Sequence, residues 1–421
     1  MSSSLVAGNG TQREWAKAAV LAGAIVFFPF ARSYYLFYVI LLAWALKKAG
    51  LRRLWRDDEG VRYGLYAIGL PILVTTCAWL FMGGVQKVWL EKFAIVAIAA
   101  LLGMATAAFA HDAATARRAY FIMSIAILTW IGEGALQILL GNDIDCRIAG
   151  STCSAGERAS LYFAKKTKVG YYIGMFALVP ACWFLLRRQI ALAVLTLLLA
   201  GGVVMAAGSR SGMIPWAVGC LVLAFVASAP LGRLRWVIAF GVPALIALLS
   251  LLLFQTNDAF HARIATSAQL FTGSDYDTLN RALSGRLDIW VPLWQLIQQH
   301  WLVGVGPGDL DTAVRPFLQP GNVFIPLKVF HAHQVLLDVQ AAAGIIGLAA
   351  FLAFYGCAVW RFIRLSAQGI SLQWAWLLVF LLLWFPVNSH HGFYSSEMVL
   401  LTFFVLGLGL ATPRAASAGA P

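Results

Sequence analysis

The sequence predicts an all-α integral membrane protein of about twelve transmembrane helices. Three observations carry this expectation. Of the 421 residues, 61% are hydrophobic and only 12% charged, against about 45–50% and about 25% in a soluble domain, and the mean hydropathy is +0.79. Apolar stretches recur along the chain at lengths near the roughly twenty residues that cross a bilayer as a helix. Between them, short loops rich in lysine and arginine alternate with loops that are not. Hydrocarbon offers backbone groups no water, so helices are the default form of such stretches.

The apolar segments lie near 15–30, 33–47, 63–82, 93–110, 119–140, 169–186, 190–207, 213–229, 236–254, 335–357, 373–388 and 397–412. Those shorter than about twenty residues imply tilt or marginal insertion. The first follows Arg13 and Lys17, as the apolar core of a signal peptide would. No small-x-small cleavage site follows, and the second segment begins almost at once, so it reads as a retained helix.

The short basic loops are "KKAGLRRLWRDDEGVR", "HDAATARR", "RRQ", "PLGRLR" and "RFIRLSAQG". Positive charge near short loops marks the cytoplasmic side. Both termini are therefore expected in the cytoplasm, and both long loops, 141–168 and 255–334, outside. The formal charge of +13 would suggest nucleic acid for a soluble protein. Here cytoplasmic anchoring and anionic lipid account for it, and no nucleic-acid partner is expected. No repeat of fixed period appears, so one membrane domain over 1–421, carrying the two loops, is the simplest organisation.

Of six cysteines, Cys77, Cys182, Cys220 and Cys357 fall inside apolar stretches and read as small buried hydrophobes. Cys146 and Cys153 share the smaller outer loop in "CRIAGSTC". An oxidising outer compartment permits a structural disulfide between them; two free thiols are the alternative.

Polar residues with chemical capacity gather on the expected outer side. Arg210 sits in "GSRSG", between two apolar runs and flanked by Ser209 and Ser211. Glycine allows close backbone approach, and guanidinium offers a rigid fork to phosphate oxygens. An arginine snorkelling to headgroups is the plainer alternative. Leu283, Leu287, Trp290, Trp294 and Ile297 recur at helical spacing, and Pro292 is expected to kink or divide that helix. Packing or interfacial seating explains the tryptophans. It leaves Arg281 and Arg286 at the start of the helix, where anions are welcome and cations are not, so the pair is a candidate anion site.

"GVGPGD" (304–309) is a turn signal first. It lacks the Lys-Ser/Thr of a phosphate-binding loop, which excludes nucleotide hydrolysis. His331 and His333 precede the tenth apolar stretch in "HAHQ". H-x-H can bind metal, but no recognisable third ligand accompanies it, Asp309, Asp311, Asp338 and His390–His391 included. A general base is the better reading, since neutral imidazole accepts a hydroxyl proton near pH 7; a histidine merely capping the next helix is the alternative. Lys165, Lys166 and Lys168 read as interfacial lysines that could also meet an anionic lipid. Glu133, in "WIGEGAL", is an acid within an apolar stretch, and without a basic partner in other stretches it is thin support for a proton relay.

"SRSG", then "SGR…W" followed by "GVGPG", then histidine with a downstream "GIIGL", together resemble the O-antigen ligase and O-antigen polymerase superfamily. The motifs cover roughly Gly208 to Leu348, and the topology covers the whole chain. Length and a dominant outer loop between the ninth and tenth spans look more like the ligases. The resemblance implies a GT-C-like glycosyltransferase of a Gram-negative bacterial inner membrane, with its site facing the periplasm. It implies transfer of an undecaprenyl-diphosphate-linked O-antigen to the outer core sugar of lipid A–core. The family's motif arginines fall on Arg210 and Arg286, and its histidine, eleven residues before a glycine, falls on His333 with Gly344. Arg281, Ser209, Ser211 and His331 are assigned substrate-binding roles beside them. The sequence departs from the pattern in Gln334, where asparagine is usual, and in Trp301, where proline is frequent.

A lipid-diphosphate leaving group carries its own activation. Neither nucleotide nor cofactor is then expected, and arginines countering the phosphates make a metal dispensable; direct displacement predicts inversion. The alternatives keep the donor and change the acceptor, as an O-antigen polymerase or a protein O-oligosaccharyltransferase. A twelve-span secondary transporter is a more distant reading, disfavoured by the absence of an internal repeat and of paired intramembrane charges.

Overall fold

A computed structural model describes residues 3–30, 32–47, 87–140, 168–238, 258–306, 310–319, 331–386 and 394–411, with a few isolated positions between. The described residues form helices, turns and loops and no strand, as the composition requires. The protein is an all-α membrane protein. In chain order the helices are α1 (Ser3–Val26), α2 (Tyr34–Lys47), α3 (Lys87–Ala110), α4 (Ala113–Leu140), α5 (Val169–Phe176), α6 (Leu178–Leu186), α7 (Ile190–Ala206) and α8 (Arg210–Ala227). Four helices follow in the large loop: α9 (Asp258–Thr272), α10 (Tyr276–Ala282), α11 (Leu287–Gln299) and α12 (Leu310–Val314). The chain closes with α13 (Val335–Ala367), α14 (Leu372–Leu383) and α15 (Ser396–Leu410).

Among the described residues, four stretches are long and apolar enough to cross a membrane: Glu91–Ala110, Ala113–Leu140, Val169–Leu186 and Val335–Ala367. Five shorter apolar helices accompany them, among them Ile190–Ala206 and Ser396–Leu410. Ten of the expected stretches thus fall on described helices; 63–82 lies outside the described residues and 236–254 mostly so.

The centre of the bundle is α5–α6, whose residues from Val169 to Trp183 are all buried, with α14 buried from Trp374 to Leu383. Buried hydroxyls and indoles find partners there, as low dielectric demands. The Tyr171 hydroxyl donates to the Leu383 carbonyl at 2.7 Å, Tyr120 to that of Val179 at 2.7 Å, and Trp384 Nε1 to Thr402 Oγ1 at 2.8 Å. Cys182 and Cys220 are buried as expected, but Cys357 is exposed. It sits on a face of α13 left open by the described residues, where a small apolar side chain meets lipid equally well. Cys77, Cys146 and Cys153 lie outside the described residues.

α5 and α8 touch backbone to backbone. The helix starts "VGYYIGMF", placing Gly170 and Gly174 one turn apart against Gly212. A Cβ at Gly212 would stand 2.2 Å from the Gly170 carbonyl oxygen, and one at Gly174 would stand 2.6 Å from that of Gly212. Small residues four apart are how membrane helices approach closely. This contact fixes the beginning of α8, and with it Ser209, Arg210 and Ser211, against the beginning of α5.

Candidate active site at the start of α13

Gln334 caps α13. Its Oε1 accepts the Leu337 N–H at 2.7 Å, and its Nε2 donates to the Pro386 carbonyl at 2.9 Å. The amide thus closes the helix N-terminus and holds it to the end of α14, so the departure from asparagine preserves a capping function.

Immediately before the cap, His331 and His333 face one another with ring centroids 3.8 Å apart and planes tilted by 52°. The His333 backbone N–H donates to His331 Nδ1 at 3.3 Å. Ala332, fully buried between them, donates its N–H to Asp338 Oδ1 and accepts the indole N–H of Trp290 at 2.8 Å. His333 adopts a left-handed φ of +49°, uncommon for a side chain bearing a Cβ. Gly392 abuts His331, where an added Cβ would come within 3.2 Å of the imidazole's own Cβ.

Arg286 stands at the N-cap of α11, and its charge acts on His331. Burial first, and Arg286 second, push the His331 pKa down to about 4. His331 is therefore neutral at physiological pH, and the bond it accepts at Nδ1 leaves the proton on Nε2. On the far side of this turn Tyr394 is half-buried, and burial, followed by the charge of Asp338, pushes its phenol upward.

The large loop builds the wall that carries Arg286. Ser284 and Gly285 take φ of +60° and +76°, turning the chain between α10 and α11. Asn280 ties the turn by accepting the Leu287 N–H at 3.0 Å and donating to Asp288 at 2.8 Å. Ile289, Leu293, Leu296 and Ile297 are the buried face of α11, in one apolar cluster with Leu310, Val314, Ala332 and Ala341.

Three expectations are corrected here. Of the kink or division expected at Pro292, division does not occur: α11 runs undivided through it, and in the second turn the proline forfeits a single backbone bond. The buried stripe is turned from the expected one, leaving Trp294 51% exposed and Leu283 outside the helix. Arg281 does not share a helix start with Arg286. It is exposed in the last turn of α10, a favourable end for a cation, where it donates to Thr278 Oγ1 at 3.2 Å.

The glycine motifs turn out to be two halves of one joint. α13 breaks its helical geometry at Gly344, with φ +64° and ψ −167°. The freed groups pair with "WLVGVG": Val305 and Gly306 donate to the carbonyls of Ala341 and Ala342, and Ile345 donates to that of Trp301 at 2.8 Å. A Cβ at Gly344 would stand 2.2 Å from the Leu302 backbone, and one at Gly304 would stand 2.4 Å from Ala342. Only glycine fits either side.

Ser209 caps α8, accepting the Gly212 N–H at 3.2 Å, and its hydroxyl lies 3.1 Å from that of Ser211. Both serines are buried, and Arg210 is the first residue of the helix. Lys168 is paired with Glu397 at 2.6 Å in the first turn of α15; Lys165 and Lys166 lie outside the described residues. The Glu397 segment continues back through Tyr394, whose carbonyl accepts from Lys92 at 3.2 Å, to Gly392 and so to His331. Contacts thus run from Ser209 through Gly170 and Lys168 to Glu397, and on to His331 and Arg286, placing both clusters at one end of the bundle. Sequence reading weighed Asp338 only as a metal ligand, Trp290 as packing and Lys168 as interfacial, and did not name Glu397; the only signals were an acid in a helical first turn and a lysine just before one.

Among the described residues no three histidine, cysteine or acidic side chains gather as a metal site; Asp309, His390 and His391 lie outside them. Asp311 is engaged with Arg315 at 2.9 Å.

Residues 192–352 match the family model described as O-Antigen ligase. This segment, less than half of the chain, is similar to that family. The matched segment runs from α7 into α13 and contains Arg210, Arg281, Arg286, His331, His333 and both halves of the glycine joint. A comparison with curated proteins finds no match. The match agrees with the resemblance drawn from the motifs and supports an enzyme of the O-antigen ligase and polymerase type in a multi-pass membrane protein.

Proposed function

We propose that this protein is an O-antigen ligase, transferring O-antigen polysaccharide from undecaprenyl diphosphate to the outer core sugar of lipid A–core. The site would face the periplasm from a Gram-negative inner membrane, with the whole chain one membrane domain. The observation that supports this best is the assembly of Arg286, neutral His331 and His333 at the start of α13, at the same end of the bundle as Arg210.

In this reading the acceptor hydroxyl loses its proton to an imidazole nitrogen of His333 as its oxygen attacks the anomeric carbon. The bond from that carbon to the diphosphate oxygen breaks, and its electron pair leaves on the diphosphate. Arg286 and Arg210 stabilise the developing charge where water is scarce. The second histidine keeps the proton on Nε2 and presents a neutral donor to sugar or phosphate, while Ser209 and Ser211 hold the start of α8 in place. A single displacement inverts the anomeric centre. Two cations countering the phosphates leave no requirement for a metal, so the reaction is expected to proceed in EDTA.

The test is transfer from a lipid-diphosphate glycan to purified lipid A–core by the purified protein, with no nucleotide or metal added. Full-length product is expected. His333→Ala should lower the rate about 10²–10⁴-fold, and Arg210→Ala or Arg286→Ala about 10²–10³-fold. Lengthening of the donor glycan with no product on lipid A–core would instead make the protein a polymerase.

A further inference from the structure

We infer that Asp338 and Trp290 are positioning residues that hold the two histidines in working geometry; the inference rests on the transfer reading above. Ala332 is the pivot. It is fully buried between the two rings, and both of its backbone groups are bound by side chains from elsewhere. Asp338, itself 4% exposed and one helical turn into α13, takes the N–H. Trp290, from the helix whose N-cap is Arg286, gives its indole proton to the carbonyl.

The dipeptide on either side is thereby fixed in a conformation it would not otherwise choose. His333 sits at φ +49°, a backbone state that persists only when its surroundings over-determine it. In that state its N–H turns back onto His331 Nδ1 and the rings meet at 3.8 Å. Free of the two anchors, the segment relaxes toward negative φ, which swings the His333 ring away from His331.

Asp338 has a second consequence. Its other oxygen lies near Gly392, which itself abuts His331, and its charge reaches Tyr394. One buried carboxylate thus joins the histidine segment, the start of α13 and the segment leading into α15. Trp290 joins the same segment to α11. The proton acceptor and the phosphate-binding Arg286 are in this way set relative to one another by a single peptide unit.

The experiment compares Asp338→Ala, Asp338→Asn and Trp290→Phe with wild type and His333→Ala in detergent. It reads kcat and KM for transfer, and the rate of diethyl pyrocarbonate modification at His331 and His333 resolved by mass spectrometry. Asp338→Ala should lower kcat about 10–100-fold with KM changed less than about threefold, since a displaced base costs rate rather than binding. It should raise the modification rate of His333. Asparagine keeps an oxygen for the Ala332 N–H and should recover kcat to within about fivefold of wild type. Trp290→Phe keeps the packing, remains folded if Asp338→Ala does not, and should show the same pattern in weaker form.

Unchanged His333 modification and unchanged kcat in both Asp338→Ala and Trp290→Phe would overturn the inference. So would a change in modification with no change in kcat while His333→Ala is inactive. Full activity of His333→Ala would instead remove the histidine from the reaction, a separate result that the modification rates do not depend on.

Discussion

His331 shows what a residue can lose and gain by its surroundings. An ordinary imidazole takes a proton near pH 6.5, whereas burial and Arg286 delay this to about pH 4. Between those values the unfolded chain binds a proton that the folded protein refuses, so stability falls as pH is lowered from about 6.5 to about 4 and levels off below. The slope from this one group is at most about 1.4 kcal/mol per pH unit. Thermal unfolding in detergent should therefore show a larger drop in midpoint between pH 7 and pH 5 for wild type than for His331→Gln. Equal drops would mean that His331 is not held neutral. Sequence spacing singled out His333 by its distance to Gly344. It gave His331 only a supporting place, because the pairing of the two rings depends on a positive φ and on Arg286, and no local pattern encodes either.

The joint between α13 and the "WLVGVG" segment is where the elements become a site. Periodicity identified α13 as a membrane helix and could not see its break, since an isolated glycine in an apolar run leaves the pattern intact. "GVGPG" likewise read as a turn, because its partner lies forty residues on. What was legible were the apolar helices and the nearness of Arg286 to the histidine pair. What was hidden were contacts set by tertiary approach: the rotated stripe of α11, the separation of Arg281 from Arg286 and the Lys168–Glu397 pair. The joint makes a stability prediction. Gly344→Ala places a Cβ 2.2 Å from the Leu302 backbone at φ +64°, and should cost roughly 3–5 kcal/mol. Gly356→Ala, lower on the same helix with open space around it, should be neutral or slightly stabilising. Unfolding midpoints in detergent decide it: the first variant should fall well below wild type and the second should not.

At the scale of the molecule, α13 is too long for the membrane it crosses. Its 33 residues rise about 50 Å if fully helical, against a hydrocarbon core of about 30 Å. The surplus belongs to the first turns, which carry Asp338 and Gln340, because Arg361 and Arg364 near the other end mark the opposite interface. Trp301 is 58% exposed beside Ile345, a natural seat for an interfacial tryptophan. The membrane surface then lies near Gly344, and the start of α13, just after the two histidines, stands about nine residues, or about 14 Å, above the hydrocarbon. That is a depth for a diphosphate and a sugar rather than for a lipid chain. The charge pattern sets which face this is. The "RRQ" turn between α6 and α7 is exposed and basic, so it should lie in the cytoplasm. In a variant without native cysteines, Gln340→Cys should react with an impermeant maleimide added to spheroplasts. Leu352→Cys, 47% exposed but facing lipid, should not react, and Gln189→Cys should react only after the membrane is opened. Labelling of Gln189→Cys from outside would invert the protein and turn the proposed site toward the cytoplasm, where a periplasmic transfer could not occur.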